Sequence, residues 1–305
     1  MIQVFSTMKN KPHHYRFMEI GTGSDPNSVG FNPIEFSISP DGKTWHSIYD
    51  EPDLRGVLCA DTPYIAEAKQ THEYQKIGIQ DGQHLLSSVY DQRDLKMTII
   101  FNGMDRNDTE LAFDALQRFL VSRTPYWICF ENWPQRMYYV LVNSITNTHL
   151  TDWGFATEVT FTDQIGLSRS VGTTADWSNH ILGFGNNEPN ENRQYSFSSN
   201  SFTVRNLSDV RIDPERRGHP FKMTMKGNSG GKMKVTNTTT KESISREKAF
   251  KGTFVLNGVN PTLDDKGDLL NTDYGVLSLA VGDNKFKVEN FSGTISFDFP
   301  MWWLS

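Results

Sequence analysis

Residues 227–231, Gly-Asn-Ser-Gly-Gly, match the spacing of a serine nucleophile elbow, G-x-S-x-G. That motif works when a strand-to-helix turn exposes the serine hydroxyl and when an acid and a histidine follow it along the chain. Here residues 232–235 continue as a predicted strand, and no histidine follows His219. Because the order of a catalytic triad cannot be met, we interpret Ser229 as part of a hairpin turn.

Three other patterns lack essential members. Lys232 ends a Gly-rich stretch, but a phosphate-binding loop needs Ser or Thr after the lysine, and Met233 stands there. His13-His14 would point to opposite faces of a strand, with no carboxylate or cysteine near them in sequence. Asp264–Asp268 lacks the Gly at position six and the Glu at position twelve of a calcium loop. The sequence therefore predicts no catalytic, metal-binding or cofactor-binding residue, and no cofactor.

Four tryptophans could serve as sugar-stacking platforms of a lectin. They are Trp153, Trp177, Trp302 and Trp303. Aromatic side chains also dominate ordinary protein cores and interfaces. With no other sign of a sugar site, the structural interpretation is favoured.

The charge balance argues against a nucleic-acid-binding protein. The formal net charge is −6, with 30 basic and 36 acidic residues that are well mixed. Proteins that bind phosphates through their surface carry clustered Lys and Arg. We therefore expect no stable nucleic-acid binding.

The chain shows no targeting or membrane segment. Its first 17 residues contain no basic stretch followed by an apolar core, and no run approaches the ~18 apolar residues of a membrane span. Cys59 and Cys129 are far apart and neither belongs to a C-x-x-C pair, so a disulfide is left open. We expect a protein that folds in a reducing cytoplasm.

The first half of the chain predicts a β-rich domain with one helix. Asp108 is predicted to cap a helix over 109–122, whose apolar residues recur at helical spacing before Pro125. Alternating or apolar segments predict strands around it. These strands are 34–38, 74–79, 94–101, 126–130, 136–142 and 155–161.

The second half predicts short strands only, at the spacing of a β-sandwich. They are 202–204, 221–225, 232–235, 254–256, 276–279, 285–288 and 294–299. The polar, Gly- and Asn-rich segment 163–194 between the halves predicts the domain boundary, near Gly166–Gly172. The predicted fold class is mainly β, in two β-rich domains.

The order of these features resembles the siphophage distal tail protein (Dit) family. In the first half the resemblance rests on the run Ile77–Leu86 with its Asp-Gly turn, on Arg93 before a strand, and on Pro134–Val140. In the second half it rests on an F-x-V-x-N strand at Phe202–Asn206 and an L-x-x-G-x-N-x-F element at 279–286. The aromatic end, Phe297-Asp298-Phe299 and Trp302-Trp303-Leu304, is similar to the family's final strand, although Pro300-Met301 stands where an Arg is common.

The resemblance implies a structural, non-enzymatic protein of a long-tailed bacteriophage. Residues 1–168 with about 295–305 would be an N-terminal β-barrel or sheet domain that forms a hexameric ring at the tail tip. Residues 172–292 would be a C-terminal galectin-like β-sandwich.

The same resemblance implies the partners and the location. The ring would join the tail tube protein to the tail-associated lysin or tail tip protein and to receptor-binding or baseplate proteins. DNA would pass the lumen without being bound. The protein would assemble in the host bacterial cytoplasm and reside in the virion.

Two functions of other classes stay open at this level. A carbohydrate-binding module or adhesin would act through the C-terminal sandwich and would be a monomer or small oligomer. A glycosidase would need two carboxylates facing each other across a cleft, about 5–10 Å apart, which sequence does not reveal.

Overall fold

A computed structural model describes residues 2–14, 25, 27–179 and 194–305 of the chain, without the side chains of 61–62 and 177–179. Its contacts divide these residues into two compact units. The first unit comprises Ile2–Ser168 with Leu304–Ser305, and the second comprises Arg169–Trp303. The predicted mainly β fold is confirmed, because strands far outweigh helix in both units.

The first unit is built around a mixed set of long and short strands. In chain order they are β1 (His13–His14), β2 (Ser28–Val29), β3 (Phe36–Ser39), β4 (His46–Ser47), β5 (Leu58–Ile65), β6 (Gln70–Gln75), β7 (His84–Tyr90), β8 (Arg93–Asn102), β9 (Tyr126–Phe130), β10 (Arg136–Thr151) and β11 (Gly154–Asp163). The main sheet has the order β4-β3-β9-β10-β11-β8-β5. Helix α1 (Arg106–Leu120) connects β8 to β9, and a short strand β12 (Ser168–Ser170) spans the division between the units.

The core of the first unit follows from strand alternation. In β8, Leu95, Met97, Ile99 and Phe101 are buried while the intervening residues are more exposed. Every residue of β9 is buried, which agrees with its wholly apolar sequence. The predicted strands at 94–101, 126–130 and 155–161 are therefore present, with ends that differ by no more than two residues.

Helix α1 begins earlier than predicted. It starts at Arg106 rather than at residue 109, because Asp105 and not Asp108 is its N-cap: the Asp105 carboxylate accepts a hydrogen bond from the Asp108 N–H at 2.9 Å. The helix ends at Leu120, where the Val121 N–H still bonds to the Gln117 carbonyl. Asp105 and Asp108 are both suitable N-cap residues, and the prediction placed the N-cap at Asp108 instead of Asp105.

The second unit contains two antiparallel sheets. Its strands are β13 (Ser196–Phe197), β14 (Ser201–Asn206), β15 (Lys222–Ser229), β16 (Met233–Asn237), β17 (Glu242–Arg246), β18 (Phe250–Asn257), β19 (Asn260–Leu263), β20 (Lys266–Gly267), β21 (Gly282–Glu289), β22 (Ser292–Asp298) and β23 (Trp302–Trp303). One sheet has the order β13-β22-β15-β18-β19-β20 and the other β14-β21-β16-β17. Aromatic side chains join them, since the ring of Phe297 lies 5.0 Å from that of Phe286 and 5.8 Å from that of Phe202. The unit is a β-sandwich.

The predicted strand Val276–Leu279 is wrong. This segment has a single bridge, Leu279 to Ile212, and buried asparagine side chains take the place of a partner strand. Asn284 accepts from the Ala280 N–H and donates to the Ala280 carbonyl, both at 2.8 Å. Asn237 donates to the Ser278 carbonyl at 2.8 Å. Since amides can satisfy a buried backbone as a ladder would, the apolar run lies here without forming a strand.

The last predicted strand belongs to a different sheet than expected. We expected residues from about 295 onward to complete the N-terminal domain, but β22 pairs with β15 in the second unit. In that register Phe297 lies opposite Met223 and Ile295 opposite Met225, so the buried faces of both strands coincide. Of the predicted 295–305 extension, Leu304–Ser305 cluster with the first unit, and β23 pairs with β12 and not with either sheet of the sandwich.

Candidate assembly surfaces

The serine of the G-x-S-x-G motif is buried at the end of β15. Its side-chain oxygen accepts a hydrogen bond from the Gly231 N–H at 3.1 Å. The expected hairpin is wrong, because β15 and β16 lie in different sheets and residues 230–232 cross between them. Neither neighbour of this turn is a helix, so the strand-to-helix geometry of a nucleophile elbow is not formed.

The two sequence patterns that were considered as metal sites form a short strand and a hairpin turn. His13 does have a carboxylate near it, contrary to expectation, since its Nε2 lies 4.0 Å from Asp25. Asp264 and Asp265 are the two central residues of the β19–β20 hairpin and both have positive φ, as a tight hairpin turn requires. Among the residues that the structure describes, no group of three or more His, Cys, Asp or Glu side chains could hold a metal ion.

The tryptophans differ in exposure. Trp302 and Trp303 are buried, and Trp302 stacks on His219 with ring centroids 5.1 Å apart, so neither offers a free platform for a sugar. Trp153 is exposed at the tip of the β10–β11 hairpin. The side chain of Trp177 lies outside the described residues.

Neither cysteine forms a disulfide, and both are buried. Burial raises the pKa of the Cys129 thiol, which keeps it in its neutral and unreactive form. The disulfide that the sequence left open is not formed between Cys59 and Cys129.

A long antiparallel hairpin runs from residue 58 to residue 102, and it starts within the main sheet. β5 pairs with β8 as far as Ile65 and Leu95, and the Ala66 N–H then bonds to the Asp94 carbonyl. The pairing resumes when the Asp91 N–H bonds to the Lys69 carbonyl, and β6 pairs with β7 beyond that point. We call residues 70–90 the distal ribbon, and residues 66–69 with 91–94 its root.

The distal ribbon exposes several apolar side chains. Leu85 and Leu86, which lie at a β-bulge in the pairing of β7 with β6, are 55% and 60% exposed, and Ile79 in the connecting turn is fully exposed. Tyr74, Ile77 and Val89 are also exposed. A two-stranded ribbon without a covered face is marginally stable in water. This surface therefore has the composition of an interface and not of a solvent-exposed strand pair.

The tip of the β10–β11 hairpin lies at the opposite end of the main sheet from the distal ribbon. β8 and β11 are antiparallel and pair along their whole lengths, with Arg93 opposite Asp163 at one end and Asn102 opposite Gly154 at the other. The distal ribbon continues from the Arg93 end, whereas the hairpin tip lies at the Asn102 end. The ribbon and the tip are therefore at opposite ends of one sheet.

One edge of β10 extends beyond its neighbour. β9 pairs with β10 only from Met137 to Val140, whereas β10 continues to Thr151 and its residues 143–151 are exposed apart from Ile145, which is partly buried. These nine residues contain no Lys, Arg, Asp or Glu. An exposed strand edge is a template for pairing with another strand.

A buried ion pair lies at the root of the distal ribbon. The Arg93 guanidinium donates from Nε to Asp163 at 3.0 Å, and the two side chains are 1% and 0% exposed. Arg93 Nη1 also donates to the Ala66 carbonyl at 3.2 Å and to the Leu304 carbonyl at 2.5 Å. Burial raises the pKa of Asp163, and the Arg93 charge opposes that rise. Removing Arg93 would therefore leave a buried carboxylate without its counter-ion.

Part of this surface was predicted from the sequence with different strand boundaries. Residues 77–86 were identified through the family resemblance, with a strand predicted over 74–79, whereas the structure ends β6 at Gln75 and places 76–83 in the connection to β7. The strand His84–Tyr90 was missed. Its residues Leu85–Tyr90 do not alternate between apolar and polar types, so the period-2 signal of a strand is absent there.

Comparison with known proteins identifies the first unit. Residues 42–162 match the family model of the phage tail protein RIFT-related domain. No curated protein matches the chain significantly. No helix within the described ranges is long and apolar enough to cross a membrane.

The fold is similar to that of solved phage proteins. The Dit protein of SPP1, described as a paradigm of the hub adsorption apparatus in phages that infect Gram-positive bacteria, is 15% identical with a TM-score of 0.60, over 87% of this chain and 99% of that one. A chain of the phage P2 baseplate in its activated conformation with Ca is 9% identical with a TM-score of 0.39, over 88% of this chain and 98% of that one. The chain thus carries a phage tail RIFT-related domain at residues 42–162, and its resemblance to the siphophage distal tail protein family is confirmed.

Proposed function

We propose that this protein is a structural distal tail protein that forms a hexameric ring in a long-tailed bacteriophage. The ring joins the tail tube protein to the tail tip and its adsorption apparatus. The observation that carries this proposal is that a unit matching a phage tail domain leaves two surfaces uncovered, the distal ribbon and the edge of β10 at residues 143–151.

Ring closure would cover the distal ribbon. A ring is built from heterologous contacts, in which one surface of each copy meets a different surface of the next. The exposed side chains of Leu85, Leu86 and Ile79 offer one such surface at one end of the main sheet. Their burial would be worth roughly 1.5–3 kcal/mol per side chain.

The edge of β10 would supply the complementary surface. Its residues 143–151 present backbone groups that a strand of a neighbouring copy could pair with. Because this stretch lacks charged residues, it fits a lumen wall that neither attracts nor repels passing DNA strongly. The edge and the ribbon lie at opposite ends of the sheet, so one copy can use both at once.

The partners and the absence of an enzymatic role follow from the same proposal. The tail tube protein would bind one side of the ring, and the tail-associated lysin or tail tip protein and the receptor-binding or baseplate proteins would bind the other. The second unit, as a galectin-like sandwich, would project from the ring. We propose no catalytic residue, and the buried Ser229 is consistent with that. Assembly would take place in the host cytoplasm and the product would reside in the virion tail tip.

The test is the mass of the purified protein, alone and with its tube partner. We expect light scattering after size exclusion to give six copies, and electron microscopy to place the ring at the tail tip. The double substitution Leu85→Glu and Leu86→Glu should abolish the hexamer and leave a folded single chain. Ser229→Ala, which changes a residue of the second unit, should assemble normally and serves as the matched control. A strictly monomeric wild type that is also missing from the tail tip would refute the proposal.

A further inference from the structure

Two residues from the far end of the sequence lie at the root of the distal ribbon. Leu304 and Ser305 belong to the first unit, although more than a hundred residues of the second unit precede them. Their backbone carbonyls are held by side chains of three separate elements. We define the clasp as the contacts of Leu304 and Ser305 with Arg93, Arg136 and Ser168.

The clasp is made of direct hydrogen bonds. Arg93 Nη1 donates to the Leu304 carbonyl at 2.5 Å. Arg136 Nη1 donates to the Ser305 carbonyl at 3.0 Å, and the Ser168 hydroxyl donates to the same oxygen at 2.5 Å. Arg136 is itself fixed, because its guanidinium lies 4.6 Å from the centroid of the Trp133 ring.

One route leads from the clasp to the root through Arg93. The same Nη1 that binds Leu304 also binds the carbonyl of Ala66, where the ribbon leaves the main sheet. Arg93 Nη2 is buried without a hydrogen-bond partner. Loss of Leu304 would take an acceptor away from a guanidinium that is already under-satisfied, which favours its movement toward water and away from Ala66.

A second route leads through residues 164–168. Gly166 approaches the ribbon root so closely that a Cβ there would lie 2.0 Å from the Asp91 carbonyl oxygen. Gln164 accepts a hydrogen bond from Gln92 at 2.9 Å. Ser168, at the end of this segment, is the residue that binds Ser305. The segment therefore lies between the clasp and the strand that returns from the ribbon.

We propose that the clasp orders the root of the distal ribbon and thereby keeps the ribbon competent for assembly. The proposal rests on the ring function, because it assigns to residues 304–305 the control of a ring-forming surface. The ribbon has no core of its own, so its position depends on its root. Residues 304–305 thus prepare the surface that a neighbouring copy meets.

The test separates the order of the ribbon from its assembly. Hydrogen exchange of the full chain is measured at a concentration where light scattering reports single chains, so it does not depend on ring formation. The variant Arg136→Met with Ser168→Ala removes the side chains that hold Ser305 and keeps Arg93 with Asp163. We expect exchange in residues 66–94 to become about tenfold faster, with α1 unchanged. Arg106→Met, which breaks an exposed ion pair with Glu110, is the matched control and should change neither region.

A chain that ends after Trp303 provides the second variant. It removes the clasp without altering any residue of the root, and it should show the same tenfold change confined to 66–94. Both variants should also form hexamers less readily than wild type. Unchanged exchange in 66–94 in both variants would overturn the proposal, and so would faster exchange combined with normal assembly. A wild type that never forms rings, but whose ribbon still loosens in the variants, would refute the ring function and leave the clasp intact.

Discussion

The distal ribbon and the six-stranded sheet of the second unit are both antiparallel β-structure, but they treat their apolar side chains differently. In β15, buried Met223 and Met225 alternate with more exposed residues, and the buried face meets the opposite sheet. In the ribbon, Leu85 and Leu86 are both exposed. The sheet therefore completes its own core, whereas the ribbon leaves apolar surface that another chain must cover.

The two units also treat their sheet edges differently. The outer edge of β17 is covered by the chain itself: the Asp273 N–H bonds to the Ser245 carbonyl, and the Asp273 carboxylate accepts from the Ser245 N–H. Gly275 permits this, since a Cβ there would lie 2.0 Å from the Ser243 carbonyl oxygen. β10 has no such cover from β9 along residues 143–151. The second unit is closed to strand addition where the first is open to it.

The largest effect is expected from a substitution at the root of the distal ribbon. Arg93→Met should destabilise the first unit by about 3–5 kcal/mol, because it leaves the buried Asp163 carboxylate without a counter-ion. Denaturant-dependent hydrogen exchange in β9 measures that loss within the full chain.

Its control is an exposed pair in the second unit. Arg205 and Asp283 lie 3.2 Å apart and both are about half exposed, so Arg205→Met should cost the second unit no more than about 1 kcal/mol. Equal losses of stability from the two substitutions would mean that the buried Arg93–Asp163 pair contributes no more than an exposed pair.

The next largest effect is expected from a buried asparagine of the second unit. Asn284→Ala should destabilise the second unit by about 1–3 kcal/mol, because the Ala280 N–H and carbonyl and the Asn237 amide each lose a partner in a buried site. Exchange of the β16 and β21 amides is the measurement. Asn200→Ala provides the control, since that side chain is exposed. If both changes cost the same, the asparagines do not hold the 276–281 segment in place.

The sequence predicted elements that bury one face and missed those that depend on distant partners. Alternation located β8, β11 and β15 because a strand with one buried face carries its own pattern. The same rule misassigned Val276–Leu279, since its buried residues are held by Asn237 and Asn284 rather than by a strand. No local sequence pattern distinguishes an apolar segment that pairs as a strand from one that is held by distant side chains.

Residues that bind distant parts of the chain were marked only through the family resemblance. The motif asparagines Asn206 and Asn284 were quoted as family markers, and the structure gives the reason they stand there: both bind the backbone at Ala280. The Arg93–Asp163 pair joins residues 70 positions apart and could not be inferred from spacing. The allocation of β22 failed because an apolar face on a strand does not specify which of two sheets it joins.

The smallest expected effect is a pH dependence of the stability of the second unit. Burial against Trp302 lowers the pKa of His219 below its ordinary value of 6.5, with a smaller upward effect of nearby Asp213. The ring also accepts a hydrogen bond from the Asp213 N–H through Nδ1 at 3.1 Å, which only the neutral imidazole can do. Because the pKa of His219 is lower in the folded state than in the unfolded state, the folded state binds fewer protons. The contribution of His219 to the stability of the second unit is therefore complete above pH 6.5 and falls as the pH drops below that value. The second unit should therefore lose stability between pH 7.5 and 5.5 by an amount that His219→Gln removes, because glutamine can accept the same hydrogen bond without titrating. Denaturant-dependent exchange of β14 at the two pH values measures the difference, and a pH dependence that is equally steep in the His219→Gln variant would assign it to other groups.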